Sequence, residues 1–344
     1  QRKKKYNLNI LKSKNNIPWS GHLASYAITD IYKKISDKYC TVIFVNTRAQ
    51  SEFLFKGLWD INYKKYKIAV HHGSLEKNIR KMIEKKIFDR TLDCVIATST
   101  LELGIDFSSL GLVIQVGAPK GVSRMMQRIG RSNHNLKHSS NALLVPTNKF
   151  EYLECLAVIK AIEENDIEKI DSKEGSLDVL EQHILGVACS ENFTIDELYK
   201  MIKSSYPYKN LEKKKFIKLI KFVQNGGYSL KGYKQFIKIK KINKNNFTII
   251  DDSIVKKYRM NIGTIVENQM LPIFCKSKKL GVIEEFFVQN LEPGDTFLFA
   301  GEVLKFLIIN SKGVQTDKTK SRDPKIPSYI GGRLPLSTKL SDRV

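Results

Sequence analysis

The chain has 344 residues, 42% of them hydrophobic, and a formal net charge of +23 at pH 7. This length and composition predict a globular protein of two or three domains and exclude a disordered tail or a lone small module. The charge favours a polyanionic partner such as nucleic acid or an anionic membrane surface, although an AT-rich genome would also enrich lysine.

Neither a membrane span nor a metal site is indicated. The apolar run at residues 296–310 is short and contains Glu302 and Lys305, whereas a membrane-spanning helix needs about 20 apolar residues. No apolar stretch follows the basic first ten residues, so we expect no secretory signal and a cytoplasmic protein. The five cysteines form no C-x-x-C pair, which predicts reduced thiols, mostly in the core.

The first half of the chain has the pattern of an α/β lobe. Short apolar runs alternate with segments of helical period, as in a parallel sheet covered by helices on both faces. The predicted strands are residues 41–46, 68–72, 93–98, 112–116 and 142–145. The predicted helices are residues 50–59, 75–88 and 122–129.

After a polar linker at residues 171–175 the pattern changes. Three helical segments, residues 176–189, 194–204 and 211–224, are followed by strand-like pieces at 228–231 and 247–250, which is the order of a winged helix. The third helix carries lysines opposite its apolar face, and either a DNA-facing surface or an ordinary solvated face accounts for them equally well. Beyond Tyr258 the strands are short and rich in turns, which predicts a β-dominated module.

Two segments of the α/β lobe carry residues suited to phosphate chemistry. ATSTLELGID (97–106) follows a buried strand, and Thr98 there can bind a phosphate while Asp106 can accept from a ribose hydroxyl. A simple helix cap is the competing interpretation of these residues. QRIGRSNH (127–134) places Arg128 and Arg131 around Gly130, and a guanidinium can bind two phosphoryl oxygens at once.

Two histidines and a tryptophan are assigned structural roles. His71 and His72 have no cysteine or acidic partner at ligand spacing, so we expect packed or capping histidines and no metal. Trp59 lies on the apolar face of its predicted helix, which indicates a core residue rather than a platform for base stacking.

Five motifs in order, TVIFVNTRAQSE, HHGSLE, ATSTLELGID, LVIQVGAPKG and QRIGRSNH, resemble motifs IV, V and VI of the second RecA-like lobe of superfamily 2 helicases. LELGID, QVGAPK and QRIGR resemble the versions of the Lhr (large helicase-related) group. SLDVLEQHILGVAC, YRMNIGTIVE, GDTFLFAGEVLKF and GGRLPLSTKLSDRV are similar to the bacterial ligase-associated DEXH-box helicases. The resemblance extends from about residue 17 to residue 344.

The resemblance implies a domain order. Residues 1–16 would be a linker from a first lobe, 17–170 the second RecA-like lobe, 171–258 a winged helix and 259–344 the truncated start of a β-rich fourth domain. Such a motor binds ATP with Mg²⁺ between two lobes, and the first lobe supplies G-x-x-x-x-G-K-[S/T] and DExH motifs. Neither pattern occurs in these 344 residues, so the chain alone is expected to be inactive.

The resemblance also implies residue roles. Arg131 would be the catalytic arginine finger on the γ-phosphate. The residues implied to meet the nucleotide with it are Gly104, Asp106, Gln127 and Arg128. The residues implied to hold the phosphates of a single strand are Thr47, Arg48, Gly73, Ser74 and Thr98.

The implied activity is ATP-dependent 3′ to 5′ movement on single-stranded DNA or an RNA:DNA hybrid, in DNA repair, with the missing first lobe as a partner. A DNA ligase or nuclease is a further implied partner, and no membrane is. Two alternatives remain: a non-catalytic nucleic-acid-binding fragment, and a piece of a DEAD-box RNA helicase. The second is disfavoured because those proteins rarely carry a winged helix and their motif VI usually begins with His, where this chain has Gln127.

Overall fold

The computed structural model of the chain describes residues 6–102, 110–131, 140–168, 174–227, 230, 232–233, 236–243, 245–261, 263, 269–321, 323–329 and 335–344. The chain divides into two compact units. One contains residues 1–168 and 268–344, and the other contains residues 169–267. Across the described residues, no helix is both long and apolar enough to cross a lipid bilayer.

The first part of the larger unit is a six-stranded parallel sheet with helices on both faces. Its elements are β1 (Tyr6–Ile10), α1 (Ile28–Tyr32), β2 (Cys40–Phe44), α2 (Arg48–Asp60), β3 (Ile68–His71), α3 (Lys77–Phe88), β4 (Cys94–Ala97), β5 (Leu110–Val116), α4 (Val122–Ile129), β6 (Ser140–Val145) and α5 (Lys149–Glu163). The strand order is β1-β6-β5-β2-β4-β3. This confirms the predicted α/β lobe with a parallel sheet.

One strand of this sheet was not predicted. Residues 6–10 fall in the segment expected to be a linker, yet they form β1, which pairs in parallel with β6 at the sheet edge. The alternating burial of β1, with Tyr6, Leu8 and Ile10 packed on the core, supplies the physical reason. The sheet therefore gains an edge strand from residues that were expected to form a linker.

The second unit has the topology of a winged helix. Its elements are α6 (Leu177–Ser190), β7 (Phe193–Thr194), α7 (Ile195–Ser204), α8 (Lys213–Asn225), β8 (Ile239–Lys241), β9 (Asn246–Ile249) and α9 (Ser253–Met260). β9 pairs antiparallel with both β7 and β8. The three predicted helices and the strand near residue 247 are confirmed. Of the other predicted strand, residues 228, 229 and 231 lie outside the described residues and Leu230 lies in a turn, while the described partners of β9 are β7 and β8.

The last part of the chain returns to the larger unit as a five-stranded sheet. Its elements are β10 (Met270–Cys275), β11 (Lys278–Glu284), α10 (Glu285–Val288), β12 (Thr296–Phe299), β13 (Glu302–Asn310), β14 (Gly313–Lys318) and α11 (Thr338–Ser341). The strand order is β11-β10-β14-β13-β12, which confirms the expected β-rich region. One apolar core spans this sheet and one face of the parallel sheet, so the β-rich region packs as part of the larger unit.

Two contacts fix the β-rich sheet against the parallel sheet. The loop after β3 runs alongside β11, and the Val282 N–H donates to the Ser74 carbonyl at 2.9 Å. A Cβ at Gly281 would lie 2.1 Å from that carbonyl oxygen, so only glycine permits the approach. In the β12–β13 turn, the N–H groups of Ala300 and Gly301 donate to the buried Glu52 carboxylate at 2.7 and 2.9 Å.

Candidate functional site

The residues expected to hold a single strand follow three neighbouring strands of the parallel sheet. Phe44, Ala97 and His71, near the carboxyl ends of β2, β4 and β3, are paired at the same level of the sheet. The loops that follow these three neighbouring strands therefore share one edge. In open parallel sheets this edge is where ligands bind.

Arg128 on α4 points into the core beneath this edge. Its side chain is 1% exposed, and its Nε donates to Glu102 Oε1 at 2.8 Å. One terminal nitrogen also contacts Glu102, and the other donates to Gln115 and lies 3.5 Å from Asn46 Oδ1. The Phe44 ring packs against the guanidinium, with 5.2 Å between the ring centroid and Cζ. Arg128 thus connects α4 to three other segments through hydrogen bonds: the turn after β4, strand β5 and the loop after β2.

Burial lowers the pKa of the Arg128 guanidinium, and the adjacent Glu102 carboxylate opposes that shift. Because Glu102, Gln115 and Asn46 take up its donors, Arg128 is placed to hold α4 rather than to reach a ligand. The expected contact of Arg128 with nucleotide stays a prediction.

Gln127 and Arg131 lie four residues apart, about one helical turn, and so fall on one side of the end of α4. Gln127 is exposed, and Arg131 is partly exposed just beyond the helix, where its N–H donates to the Arg128 carbonyl at 3.0 Å. The other two residues expected at the nucleotide, Gly104 and Asp106, lie outside the described residues. The described residues thus place the Gln127 amide and the Arg131 guanidinium on the same side of the helix end.

The start of α4 is held by a carboxylate. Glu168 accepts from the N–H groups of Val122 and Ser123 at 2.6 and 2.7 Å, and from the Ser123 and Ser337 hydroxyls at 2.7 and 2.8 Å. Burial would raise the pKa of Glu168, but these hydrogen bonds outweigh it and lower the pKa to about 2. The helix with Gln127 is thus anchored at its N-terminus by Glu168 and near its C-terminus by Arg128.

The residues expected to hold a single strand divide into two groups. Thr47 and the backbone of Gly73 are exposed, although the Thr47 hydroxyl also caps α2 by accepting from the Gln50 N–H at 3.1 Å. Thr98 is buried, as is Ser74. Thr47 and Gly73 are therefore the most solvent-accessible of the five residues expected to hold a single strand.

Arg48 and Ser74 face each other instead of projecting separately. The Arg48 Nη1 donates to Ser74 Oγ at 2.8 Å, and the Arg48 guanidinium lies 5.0 Å from the centroid of the Tyr329 ring. Tyr329 follows the β-rich sheet, so this late segment of the chain packs over the pair. Burial raises the pKa of the Tyr329 hydroxyl, with the Glu52 carboxylate acting in the same direction.

Both histidines are packed and hydrogen-bonded, as predicted. His71 bonds to Thr100 at 2.8 Å and to Glu84 at 3.1 Å, and burial lowers its pKa although Glu84 opposes the shift. His72 Nε2 lies 3.0 Å from Glu52 Oε1, and both side chains are fully buried. The expectation that Trp59 is a core residue was wrong, because it is 53% exposed and stacks on Phe55 at the surface.

Sequence reasoning missed the supporting residues. Glu102, Gln115 and Asn46 bind Arg128, while Glu52 and Glu168 anchor the β-rich sheet and α4. One signal was available for Gln115, since a polar residue within the apolar run LVIQV is costly to bury unless it is hydrogen-bonded. The carboxylates gave no such signal, because each meets its partners only in the folded chain.

The winged-helix unit presents a separate basic surface. Lysines 213, 214, 215, 218 and 221 of α8 are exposed, and the opposite side of the helix is buried in the core of this unit.

Two family models match the chain. Residues 25–135 match the family described as helicase conserved C-terminal domain. Residues 160–326 match the winged helix domain of the large helicase-related protein. The ATP-dependent helicase Lhr-Core of Methanothermobacter thermautotrophicus is 34% identical over 321 residues, which is 92% of this chain and 37% of that protein. The Lhr-Core helicase of Methanocaldococcus jannaschii is 32% identical over 318 residues, with the same two shares.

Two solved structures share the fold. The structure of Mycobacterium smegmatis helicase Lhr bound to ssDNA and AMP-PNP aligns with a TM-score of 0.66 at 23% identity, over 87% of this chain and 39% of that one. The helicase MrfA bound to DNA and AMPPNP aligns with a TM-score of 0.65 at 16% identity, over 92% of this chain and 42% of that one. The chain spans 37% of the length of each of the two Lhr-Core relatives.

Proposed function

The chain belongs to the Lhr family of helicases, and we propose that it supplies the second RecA-like lobe and the winged helix of an ATP-dependent helicase. The observation that carries the proposal is the end of α4, where Gln127 and Arg131 share one side and are held by the buried Arg128–Glu102 ion pair. The helicase would move 3′ to 5′ on single-stranded DNA or an RNA:DNA hybrid.

In this function Arg131 is the arginine finger and Gln127 a polar contact to the same nucleotide. A fixed guanidinium suits developing phosphoryl charge because it stays protonated and can bind two oxygens. Gly104 and Asp106 would meet the ribose. Arg128 acts as a positioning residue, since its donors are bound within the lobe.

The residues present suit the phosphates of ATP better than its metal ion. An amide and a guanidinium are donors toward anions, and among the described residues there is no cluster of His, Cys, Asp or Glu that could hold a metal ion. Mg²⁺, which neutralises phosphate charge when bound, would therefore be held by carboxylates of the first lobe.

The single strand would cross the loops after β2, β3 and β4. Thr47 and the Gly73 backbone are the exposed groups there, and Thr98 lies beneath them. Contacts of this kind hold phosphates without reading sequence, so affinity should fall steeply with salt. Arg48 would contribute only by exchanging its bond to Ser74 for one to phosphate.

We also propose that these 344 residues bind nucleic acid by themselves without hydrolysing ATP. An arginine finger acts on a nucleotide that other residues hold in place. A DNA-repair role, a ligase or nuclease partner, and the subgroup of bacterial ligase-associated helicases rest on the sequence resemblance.

The test joins this chain to the first lobe of the Methanothermobacter relative and measures DNA-stimulated ATP hydrolysis. Arg131→Ala should lower kcat by about 10³-fold or more, as loss of an arginine finger does. Arg124→Ala is the matched control, because it removes a partly exposed arginine from the same helix and should leave the rate within about twofold. An unchanged rate in the Arg131 variant would refute the finger assignment.

A further inference from the structure

Helix α4 receives its N-terminal cap from a distant part of the chain. Its own N-cap residue, Gly121, makes no side-chain hydrogen bond, and its first turn has no acidic residue, in a helix that the structure describes completely. The cap is Glu168, which lies 46 residues beyond Val122 in the sequence. Its carboxylate accepts from the N–H groups of Val122 and Ser123 at 2.6 and 2.7 Å. The start of the helix that leads to Gln127 is therefore held by a long-range contact.

A local cap would have stabilised α4 more simply. Helices α2 and α5 of the same lobe are capped by Thr47 and Asn148, each of which directly precedes its helix. A Ser, Thr, Asp or Asn in place of Gly121 could cap α4 in the same way. Gly121 instead leaves room for the distant carboxylate, because a Cβ there would lie 3.3 Å from Glu168 Oε1. Helix stability alone therefore does not explain why the cap comes from Glu168.

Glu168 is itself held in place by the segment around α11. The Ser337 hydroxyl donates to the Glu168 carboxylate at 2.8 Å. Two residues before Glu168, Asp166 accepts from Arg343 Nε at 3.0 Å and pairs with Lys339. Glu168 is also the last residue of the larger unit before the chain continues into the winged-helix unit. The carboxylate is thus a fixed point to which the start of α4 is tied.

The direction of α4 depends on contacts at both of its ends. Glu168 holds the start, and the Arg128–Glu102 ion pair holds the last turn. Without the bonds of Glu168, α4 is free to tilt about Arg128. Arg131 lies three residues beyond that pivot, about 4.5 Å along the axis, so a tilt of about 10° moves its backbone by about 0.8 Å. A misplacement of about 1 Å can cost about 10²-fold in the rate of a catalysed step.

We propose that Glu168 is a positioning residue for ATP hydrolysis, acting through α4 on Arg131. The proposal rests on the proposed function, which assigns the arginine finger to Arg131. Glu168 contacts neither the nucleotide nor the strand in this role. It sets the direction of the helix that leads to the finger. Because the finger stabilises charge that develops in the transition state, its misplacement lowers kcat more than it weakens the binding of ATP.

The experiment is a double-mutant cycle in the fusion of this chain with the first lobe of the Methanothermobacter relative. DNA-stimulated ATP hydrolysis is measured for the parent, Glu168→Gln, Arg131→Ala and the variant with both changes. Thermal melts identify a temperature at which all four proteins are folded. Glu164→Gln is the matched control, because it removes a carboxylate four residues away that is bonded to Arg343 and not to α4.

Glu168→Gln should lower kcat at least about tenfold and leave the KM for ATP within about threefold. In the Arg131→Ala background the same change should alter kcat by less than about twofold, because no finger remains to be positioned. Glu164→Gln should keep the parent rate.

A milder variant serves the same cycle if Glu168→Gln does not fold. Ser123→Ala with Ser337→Ala removes both hydroxyl donors and keeps the Glu168 charge and its two bonds from backbone N–H groups. It should lower kcat less than Glu168→Gln does, and again only where Arg131 is present.

An equal loss of kcat with and without Arg131 would overturn the proposal, since Glu168 would then act on folding rather than through the finger. An unchanged kcat in Glu168→Gln, with the expected loss in Arg131→Ala, would overturn it as well. An Arg131→Ala variant as active as the parent would instead refute the proposed function, and this proposal with it. The rate of the single Arg131 variant therefore separates the two failures.

Discussion

The Arg128 guanidinium and the Glu102 carboxylate form a buried ion pair between α4 and the turn after β4, with 2.8 Å from Nε to Oε1. The pair connects the two segments that the sequence marked separately, ATSTLELGID and QRIGRSNH. A displacement of ATSTLELGID is therefore transmitted to QRIGRSNH through the Glu102–Arg128 contact. This makes Glu102 a positioning residue for Gln127 and Arg131.

Loss of one partner should destabilise the larger unit strongly. Glu102→Gln leaves the Arg128 charge buried without its counter-ion, which costs about 3–5 kcal/mol. Arg128→Met paired with Glu102→Gln should cost less than the two single changes added, because the double variant has no buried charge left unpaired. Urea unfolding of the four proteins measures this coupling. Additive costs would show that the two side chains do not interact.

Glu52 should be essential for the docking of the β-rich sheet. Its carboxylate accepts from the Ala300 and Gly301 N–H groups and pairs with His72. Glu52→Gln removes the charge from a fully buried site and should lower the free energy of unfolding by about 2–4 kcal/mol. The control is Asp60→Asn on the same helix, which breaks only the exposed pair with Lys56 and should cost under about 1 kcal/mol. Similar effects of both changes in thermal melts would contradict this assignment.

Gly281 should not tolerate a side chain. Its Cβ would lie 2.1 Å from the Ser74 carbonyl oxygen, so Gly281→Ala must separate β11 from the loop after β3 at a cost of about 1–3 kcal/mol. Gly73→Ala is the matched control, because a Cβ there meets nothing within 4 Å. Denaturant midpoints of the two variants measure the difference. A stable Gly281 variant would mean that the sheet docks more loosely than the structure shows.

The sequence predicted elements whose signal is local. The β-branched runs predicted strands β2 to β6 close to their observed bounds. The spacing of apolar residues predicted both ends of α4 correctly. β8 was missed because its alternation of isoleucine and lysine lies in a stretch that composition bias also explains. β1 was missed because its pairing partner, β6, lies far away in the chain.

Contacts between distant segments also limited the prediction of the site. The family resemblance pointed to the loops after β2, β3 and β4, but it treated Arg48 and Ser74 as separate phosphate ligands. In the folded chain they bond to each other beneath Tyr329. Likewise, two equivalent arginines in QRIGR take different positions, one buried and one partly exposed, because only Arg128 falls on the core side of α4.

Acid should weaken the hold of Glu168 on α4. Its pKa falls from the usual value of 4.5 to about 2 in the folded chain, so the stabilisation it gives is complete above about pH 4.5 and is lost as the pH falls toward 2. Since Glu168 remains partly accessible to solvent, we expect about 1 kcal/mol. Glu168→Gln should therefore be less stable than the parent at pH 6, and the gap should narrow at pH 3. Urea unfolding at both values measures the gap, with Glu164→Gln, which loses only an ion pair to Arg343, as the control. A gap that stays constant between these pH values would show that the Glu168 charge does not stabilise the start of α4.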